Sequence, residues 1–349
     1  MSSCNGGPFF SICVASYNAA RYIGECLESI ACQSFKDYEV VLVDDGSTDG
    51  TADVVDSVAY MFEPGVLRSF RSPDNRGTYE TRLDLIRRSL GDYILFLDSD
   101  DMYASPDALQ KMHKAISSGR LDILVFNATR SMEVPRPLES LGCLVVGDDG
   151  LLDLQAVRRC ALNTYKMNSL CYKAVRRDLL GWSVEAGRRV DMCEDRLLSV
   201  SAILTADRVG LLDEPLYFYR KNEESVTRKR FYVRFFFDQM FVDSTLCARA
   251  RSAGLDVSGL YRMDQKLMCS DLRLCATAPK SDRSLEVFDE LLGSMRAEPF
   301  AREALGVRPS RRLRPDEALL VGGIRRGWPS RVLYVLARGF AAAKRLVAD

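Results

Sequence analysis

The sequence predicts an α/β fold: a mostly parallel central sheet flanked by helices, with a helical C-terminal extension. Three observations predict it. Strand-like runs over 9–15, 38–43, 66–71 and 93–97 alternate with segments whose apolar residues recur at helical spacing. Two of these runs end in acidic turns, Asp44-Asp45 and Asp98-Ser99-Asp100-Asp101. From about Phe231 onward the pattern is helical and rich in arginine. Strands separated by single helices pair in parallel through right-handed crossovers.

In order, Phe9 to Ala15 is a short apolar run of the kind that forms a buried strand. Ala19 to Gln33 places Ile23, Leu27 and Ile30 on one helical face, with Asn18 as its expected N-cap. Tyr38 to Val43 is the second strand, and Thr51 to Phe62 a helix with Val54, Val58 and Met61 on one face. Val66 to Arg71 is the third strand. The next helix carries Tyr79, Leu83, Ile86 and Leu90, and Tyr93 to Leu97 is the fourth strand. Beyond Asp101 the pattern loosens. Pro106 to Ser118 is expected as helix, Ile123 to Phe126 as strand, Pro135 to Gly150 as loop, Glu194 to Leu204 as helix and Leu216 to Arg220 as strand. This divides the chain into 1–228, with a nucleotide-binding half near 1–101 and an acceptor half near 102–228, and a helical region over 229–349.

The 349 residues carry 48 basic and 48 acidic side chains, a balance without the basic footprint of a nucleic-acid-binding protein. The 11 cysteines are scattered, with no CxxC pair, which fits a reducing cytosol and makes Cys13 and Cys171 core residues rather than reactive ones. Met1 to Pro8 lacks a signal-peptide pattern, and no run reaches the ~20 apolar residues that cross a bilayer. The expected location is cytoplasmic. His113 is the single histidine, on a helical segment with Ala108, Leu109 and Met112. One histidine excludes a multi-histidine zinc site and makes a Ser-His-Asp triad untenable, so acid/base chemistry falls to carboxylates.

In a parallel sheet the strand C-termini emerge along one edge, where ligands of open α/β sheets bind. Ser16-Tyr17-Asn18, Asp44-Asp45 and Asp98-Ser99-Asp100 are therefore expected to meet. Asp98 and Asp100, two apart on an extended segment, face the same way. Such a pair suits Mg²⁺ or Mn²⁺, which take one or two carboxylates plus phosphate oxygens. Taken alone, Asp98 to Asp101 reads equally well as a solvated turn, Ser47, Thr48 and Asp49 as a helix cap, and Glu194-Asp195 as a favourable start to a helix.

The ordered set of these pieces resembles family 2 glycosyltransferases, which have the GT-A fold. The matching residues are Ala15-Ser16-Tyr17-Asn18, Tyr22-Ile23, Leu27, Ser29-Ile30 and Gln33. Then come Tyr38 to Asp49, Asn75-Arg76-Gly77, Arg82, Gly91-Asp92-Tyr93-Ile94 and Leu97 to Asp101. Glu194-Asp195, Tyr219-Arg220 and Ser225 complete the set. The likeness covers roughly residues 9 to 228. It implies that Tyr17 and Asp45 hold a nucleobase, with Ala15 lining the same pocket and Asn18 binding the nucleotide or donor from the same motif. It implies that Asp98, beside Ser99, contacts the ribose or donor sugar and that Asp100 is the main metal ligand. Arg82 would lie near the donor, Arg220 and Ser225 near the diphosphate, and Asp195 would be the catalytic base with Glu194 beside it. The implied reaction is single displacement with inversion, moving a sugar from a nucleotide-diphosphate sugar, UDP-linked by family habit, to a glycan or lipid-linked saccharide in surface polysaccharide synthesis. Ala15 stands where the family commonly has proline, Leu83 and Leu85 where many members have Asn and Gly, and Met167-Asn168-Ser169 where a Trp-Asn-Lys segment is frequent. These departures bear on sugar and acceptor identity rather than on the reaction.

Two other functions compete. A sugar-phosphate nucleotidyltransferase would want a Gly-rich, basic loop after the first strand, and Ala15 to Arg21 lacks one. A non-catalytic nucleotide-sugar-binding protein would not need Asp100 or Asp195, and both are present.

In the C-terminal region, Phe231-Tyr232, Phe235-Phe236-Phe237 and Met240-Phe241 form an aromatic stripe expected in a core. Arg331, Arg338 and Arg345 recur every seven residues beside Val332, Val335, Leu336 and Phe340. A helix of that kind could lie on the inner membrane face, but packing on its own domain or in an oligomer is the preferred reading.

Overall fold

The computed structural model describes residues 6–138, 144, 146–147, 150–181, 189–221, 233–277, 284–308 and 313–348. The chain forms two compact units. One is Met1–Ala161 with Tyr165–Ser225, and the other is Leu162–Thr164 with Val226–Asp349. The expected boundary at 228 lies outside the described residues.

The first unit begins with β1 (Phe10–Ser16), α1 (Ile23–Ala31), β2 (Tyr38–Asp44), α2 (Thr51–Val58), β3 (Leu67–Arg71), α3 (Thr78–Arg88) and β4 (Tyr93–Phe96). It continues with β5 (Met102–Tyr103), α4 (Ala108–Gly119), β6 (Ile123–Thr129), α5 (Leu154–Asn163), β7 (Lys173–Arg176), α6 (Glu194–Thr205) and β8 (Val209–Phe218). The strands make one eight-stranded sheet in the order β3-β2-β1-β4-β7-β6-β8-β5. β3, β2, β1 and β4 run parallel, as the alternation of strand and helix requires, whereas β7 is antiparallel to both of its neighbours.

β2 is buried along its whole length, and β1 at every position but one. That is why they read as continuous apolar runs rather than alternating ones. Each buried Val, Ile or Leu there contributes about 1.5–3 kcal/mol relative to exposure. Ile23, Leu27 and Ile30 of α1 are fully buried, as their spacing predicts.

Four local expectations are corrected. Asn18 does not cap α1, which starts at Ile23 with Tyr22 as its N-cap and no side-chain cap bond. Asn18 instead occupies the left-handed region (φ 50°), and its Oδ1 accepts the Thr48 amide at 2.9 Å. The helix expected over 51–62 ends at Val58, with Ala59–Met61 following as a 3-10 turn, and its buried positions are Thr51 and Val55. Leu90 lies past the end of α3 and is 53% exposed, because Ser89 turns extended and ends the helix. The last strand is longer than the aromatic run suggests, starting at Val209 and ending at Phe218, before Arg220. Most of 139–149 lies outside the described residues. Its described part includes a single bridge of Val146 to Leu152.

The second unit is helical: α7 (Val233–Ser252), α8 (Ser258–Thr277), α9 (Ser284–Ala297), α10 (Pro299–Gly306), α11 (Pro315–Arg325) and α12 (Ser330–Ala348). Its core includes Phe236, Met240, Leu260, Met268, Phe288 and Leu333. Two helix starts carry proline in the first turn. Glu298 accepts the Ala301 amide at 2.6 Å ahead of α10, and Glu317 accepts the Arg314 amide at 3.0 Å ahead of α11. Of the aromatic stripe, Phe236 and Met240 are core, Phe237 is exposed, and Phe231 and Tyr232 lie outside the described residues. No described helix is long and apolar enough to cross a membrane.

Candidate active site

Because β1, β2 and β4 are parallel neighbours in register, with Ser16 opposite Asp44 and Cys13 opposite Phe96, the segments that follow them leave the sheet along one edge. The loop after β1 is stitched to the loop after β2. Asn18 N donates to Ser47 Oγ at 2.8 Å, Ala19 N to Thr51 Oγ1 at 2.9 Å, and Ala20 N to Asp49 Oδ2 at 3.1 Å. Asp49 also accepts the Thr51 amide at 3.1 Å at the start of α2, which satisfies a donor the helix cannot. Tyr17 projects from this rim with half its surface (51%) exposed. Ala15, one residue before the end of β1, is half-buried.

Asp45 is buried and holds a third segment to the same edge. Its oxygens accept the Arg76 amide at 3.0 Å and the Gly77 amide at 2.8 Å, while its own amide donates to Ser16 O at 2.8 Å. The approach is close enough to demand glycine beside it. Gly46 has φ +79°, and a Cβ there would lie 2.9 Å from the carbonyl carbon of Asp74.

Gly77 leads into α3, which delivers Arg82. This guanidinium is 4% exposed and joins three carboxylates from two other elements. Nη1 donates to Glu194 Oε1 at 3.0 Å and to Asp195 Oδ1, and Nη2 lies 3.4 Å from Asp98 Oδ1. Glu194 and Asp195 form the first turn of α6, where acidic side chains also complement the helix dipole. Burial pushes the Glu194 carboxyl up, opposed by Arg82. Burial works against the Arg82 charge as well, but Glu194 and Asp98 outweigh it and raise its pKa.

Asp98 is also held from two sides by thiols. Cys171 Sγ donates to its Oδ2 at 3.3 Å and Cys26 Sγ to its carbonyl at 3.7 Å. Burial pushes both thiols well above their usual range, so both are protonated donors rather than nucleophiles. Asp101 faces inward, accepting from Tyr217 Oη at 2.6 Å and from the Arg220 amide at 2.8 Å. Burial first, and then the Asp98 charge, push Asp101 up to about 8. Arg220 closes the edge. Its Nε donates to Asp100 O at 2.9 Å, its Nη2 to Glu25 Oε2 at 2.6 Å, and its guanidinium sits 5.2 Å over the Tyr22 ring.

The structure thus brings Tyr17, Asn18 and Asp45 to one rim, and links Arg82, Asp98, Glu194 and Asp195 in one cluster. Arg220 stands against Asp100 and Asp101, and Ser99 lies in the same turn. Ser225 lies outside the described residues. Sequence reasoning assigned no part to Tyr217, Asp101, Glu25 or Cys26, and read Cys171 only as the buried core residue that it is. The first two carried a signal, in the aromatic run before Arg220 and in the fourth residue of the acidic string. The thiols carried none. His113 belongs to an aromatic cluster at the opposite end of β1, stacked 4.6 Å from Phe35 and edge-on 4.5 Å from Phe9.

A family model for glycosyl transferase family 2 matches residues 11–180. The glycosyltransferase GlyG of Streptococcus pneumoniae serotype 4 is 26% identical over 259 residues, covering 72% of this chain and 83% of GlyG. The poly(ribitol-phosphate) beta-N-acetylglucosaminyltransferase TarS of Staphylococcus aureus (strain Mu50) is 25% identical over 228 residues, covering 64% of this chain and 37% of TarS. Among solved structures, S. aureus TarS 1-349 in complex with UDP-GlcNAc matches with a TM-score of 0.66 at 21% identity, covering 97% of this chain and 91% of that one. At that identity the likeness is one of fold.

Proposed function

Because the chain belongs to glycosyl transferase family 2, we propose that it moves a sugar from a UDP-sugar to a hydroxyl of a cell-surface glycan or polyol polymer, with inversion. The observation that carries this reading is Arg82, whose one guanidinium ties the donor-side Asp98 to the acceptor-side Glu194 and Asp195. Transfer with inversion needs a leaving diphosphate and an attacking hydroxyl on opposite faces of one sugar. Two carboxylate groups held apart by a fixed cation suit that demand.

In this reading Tyr17 packs on the exposed face of the uracil, and Asp45 receives its edge with the lone pairs left after binding the Arg76 and Gly77 amides. Asp98 takes a donor-sugar or ribose hydroxyl. Asp195 takes the acceptor proton as the new bond forms, and Arg82 fixes its position while balancing its charge. Glu194 steadies Arg82 from the other side.

A divalent cation fits the donor set. Asp98, Asp100, Glu194 and Asp195 outnumber Arg82 and Arg220, and the side chain of Asp98 is 38% exposed. Asp100 and Asp98 would hold Mg²⁺ or Mn²⁺ together with diphosphate oxygens, hard donors of the type these ions take. Among the described residues no three His, Cys, Asp or Glu side chains are grouped to hold an ion by themselves, so substrate oxygens would complete the set. When bound, the ion supplies charge neutralisation at the departing diphosphate.

The acceptor class is drawn from relatives whose names include a poly(ribitol-phosphate) transferase. A cytoplasmic site of action is supported by the free state of every described cysteine. The test is a UDP-sugar panel with Mn²⁺ or Mg²⁺, read as UDP release with pooled glycan and polyol-phosphate acceptors. Asp195→Asn is expected to abolish acceptor-dependent release while UDP still binds. Full turnover by that variant would remove Asp195 as the base.

A further inference from the structure

The turn after β4 presents Asp98 and Asp100, and its shape is fixed from a distant strand. Asp101 N donates to Asp98 O at 2.9 Å, which closes the turn on itself. Tyr217, fully buried on β8, then joins its two ends. The Asp98 amide donates to the phenol oxygen at 3.2 Å, and the phenol donates to Asp101 Oδ2 at 2.6 Å. The other Asp101 oxygen takes the Arg220 amide at 2.8 Å. Backbone pairing reinforces the link, since β5 lies antiparallel to β8 with Tyr103 opposite Tyr217 and Met102 opposite Phe218.

A single hydroxyl therefore accepts from the first residue of the turn and donates to the last. A phenol can do both at once, and no apolar ring of the same size can. In a buried setting each of these bonds has a defined direction, because an unmet donor or acceptor there is costly.

We infer that Tyr217 and Asp101 are positioning residues, which set the aim of the Asp98 and Asp100 carboxylates through the backbone of the turn. Neither side chain touches the donor itself. This inference rests on the UDP-sugar reading above. If Tyr217 only filled space in the core, removing its hydroxyl would lower stability and leave the metal dependence of nucleotide binding alone.

The test is Tyr217→Phe in the full chain, with UDP binding measured by calorimetry in Mn²⁺ and again in EDTA. Binding in EDTA is expected to stay within about twofold of wild type, while the gain in affinity from Mn²⁺ falls about tenfold, the scale of one or two lost hydrogen bonds. Exchange of the Asp98 amide with solvent should accelerate in the variant. Asp101→Ala is the second arm: it removes both oxygens that meet Tyr217 and Arg220, so the same loss of Mn²⁺ gain is expected. It carries the test alone should the phenylalanine variant not fold. An unchanged Mn²⁺ gain in a folded variant overturns the role of Tyr217 and Asp101. A wild-type protein that binds no UDP in Mn²⁺ overturns the UDP-sugar reading beneath it.

Discussion

Arg82 on α3 donates to Asp195 on α6 across 113 residues of sequence, from a position that leaves the arginine only 4% exposed. A buried guanidinium so placed serves both fold and chemistry, since removing it strands Glu194, Asp195 and Asp98 together. Arg82→Ala is expected to cost about 3–5 kcal/mol of stability, the usual penalty for leaving a buried ion-pair partner uncompensated. Arg82→Lys keeps the charge but loses the planar fork that spans the carboxylates, so it should recover part of the stability with turnover still down about 100-fold. Denaturant unfolding together with UDP release measures both. Wild-type turnover in the lysine variant would show that the fork geometry is irrelevant.

Gly46 is predicted to be intolerant for two separable reasons. Its φ of +79° disfavours any side chain, and a Cβ would meet backbone atoms at Asp74 (2.9 Å) and Asn75 (3.1 Å). Gly65 provides the control, with φ +86° but nothing within 4 Å of the added carbon. Gly65→Ala should therefore show the conformational cost alone, about 1–2 kcal/mol. Gly46→Ala should cost more and also weaken UDP binding, because the collision displaces the segment whose amides occupy Asp45. Equal stability losses and equal UDP affinities for the two variants would remove the steric half of the argument.

The contrast between Asp45 and Cys171 shows what a sequence can and cannot disclose about such a site. Parallel strands buried on both faces appear as unbroken apolar runs, so β1, β2 and β4 and the acidic turns behind them were legible. The convergence of those turns followed from parallel pairing alone. Cys171 touches Asp98 from a segment ahead of β7, a four-residue antiparallel strand that begins with Lys173 and ends with Arg176, where neither length nor alternation marks a strand. Asn18 misled because its side chain suits a helix cap and a left-handed loop equally well, and only the partner amide of Thr48 decides between them. Leu90 misled by periodicity: its spacing continues the helix, but its amide goes to Glu39 Oε1 at 2.5 Å.

His113 offers a prediction by location. It packs on Phe9 and Phe35, at the start of β1, whereas the candidate site lies past the far end of that seven-residue strand, about 20 Å away at ~3.3 Å per residue. Burial also lowers its pKa. His113→Phe should keep the aromatic contacts and leave turnover and its pH profile near neutrality unchanged. Loss of a limb of that profile in the variant would place a titrating histidine in the mechanism and contradict the carboxylate base.

Asp271 on α8, in the helical unit, gives the pH dependence of stability. Burial alone pushes its carboxyl up to about 7, against an unfolded value of about 3.9. The folded state therefore holds this proton more tightly than the unfolded chain does. The stabilisation that results is fully present below about pH 4 and is lost as the pH rises through about 7. Above that range the folded protein must either bury a charge or open around it. Asp271→Asn mimics the protonated form at every pH, so it should be more stable than wild type at pH ~8, by up to about 4 kcal/mol, and nearly equal to it at pH ~4. Urea unfolding of both proteins across that range, with amide exchange along α8 to localise the effect, measures the difference. Parallel stability curves would mean that the carboxyl titrates alike in the folded and unfolded chains, and that its burial carries no electrostatic cost.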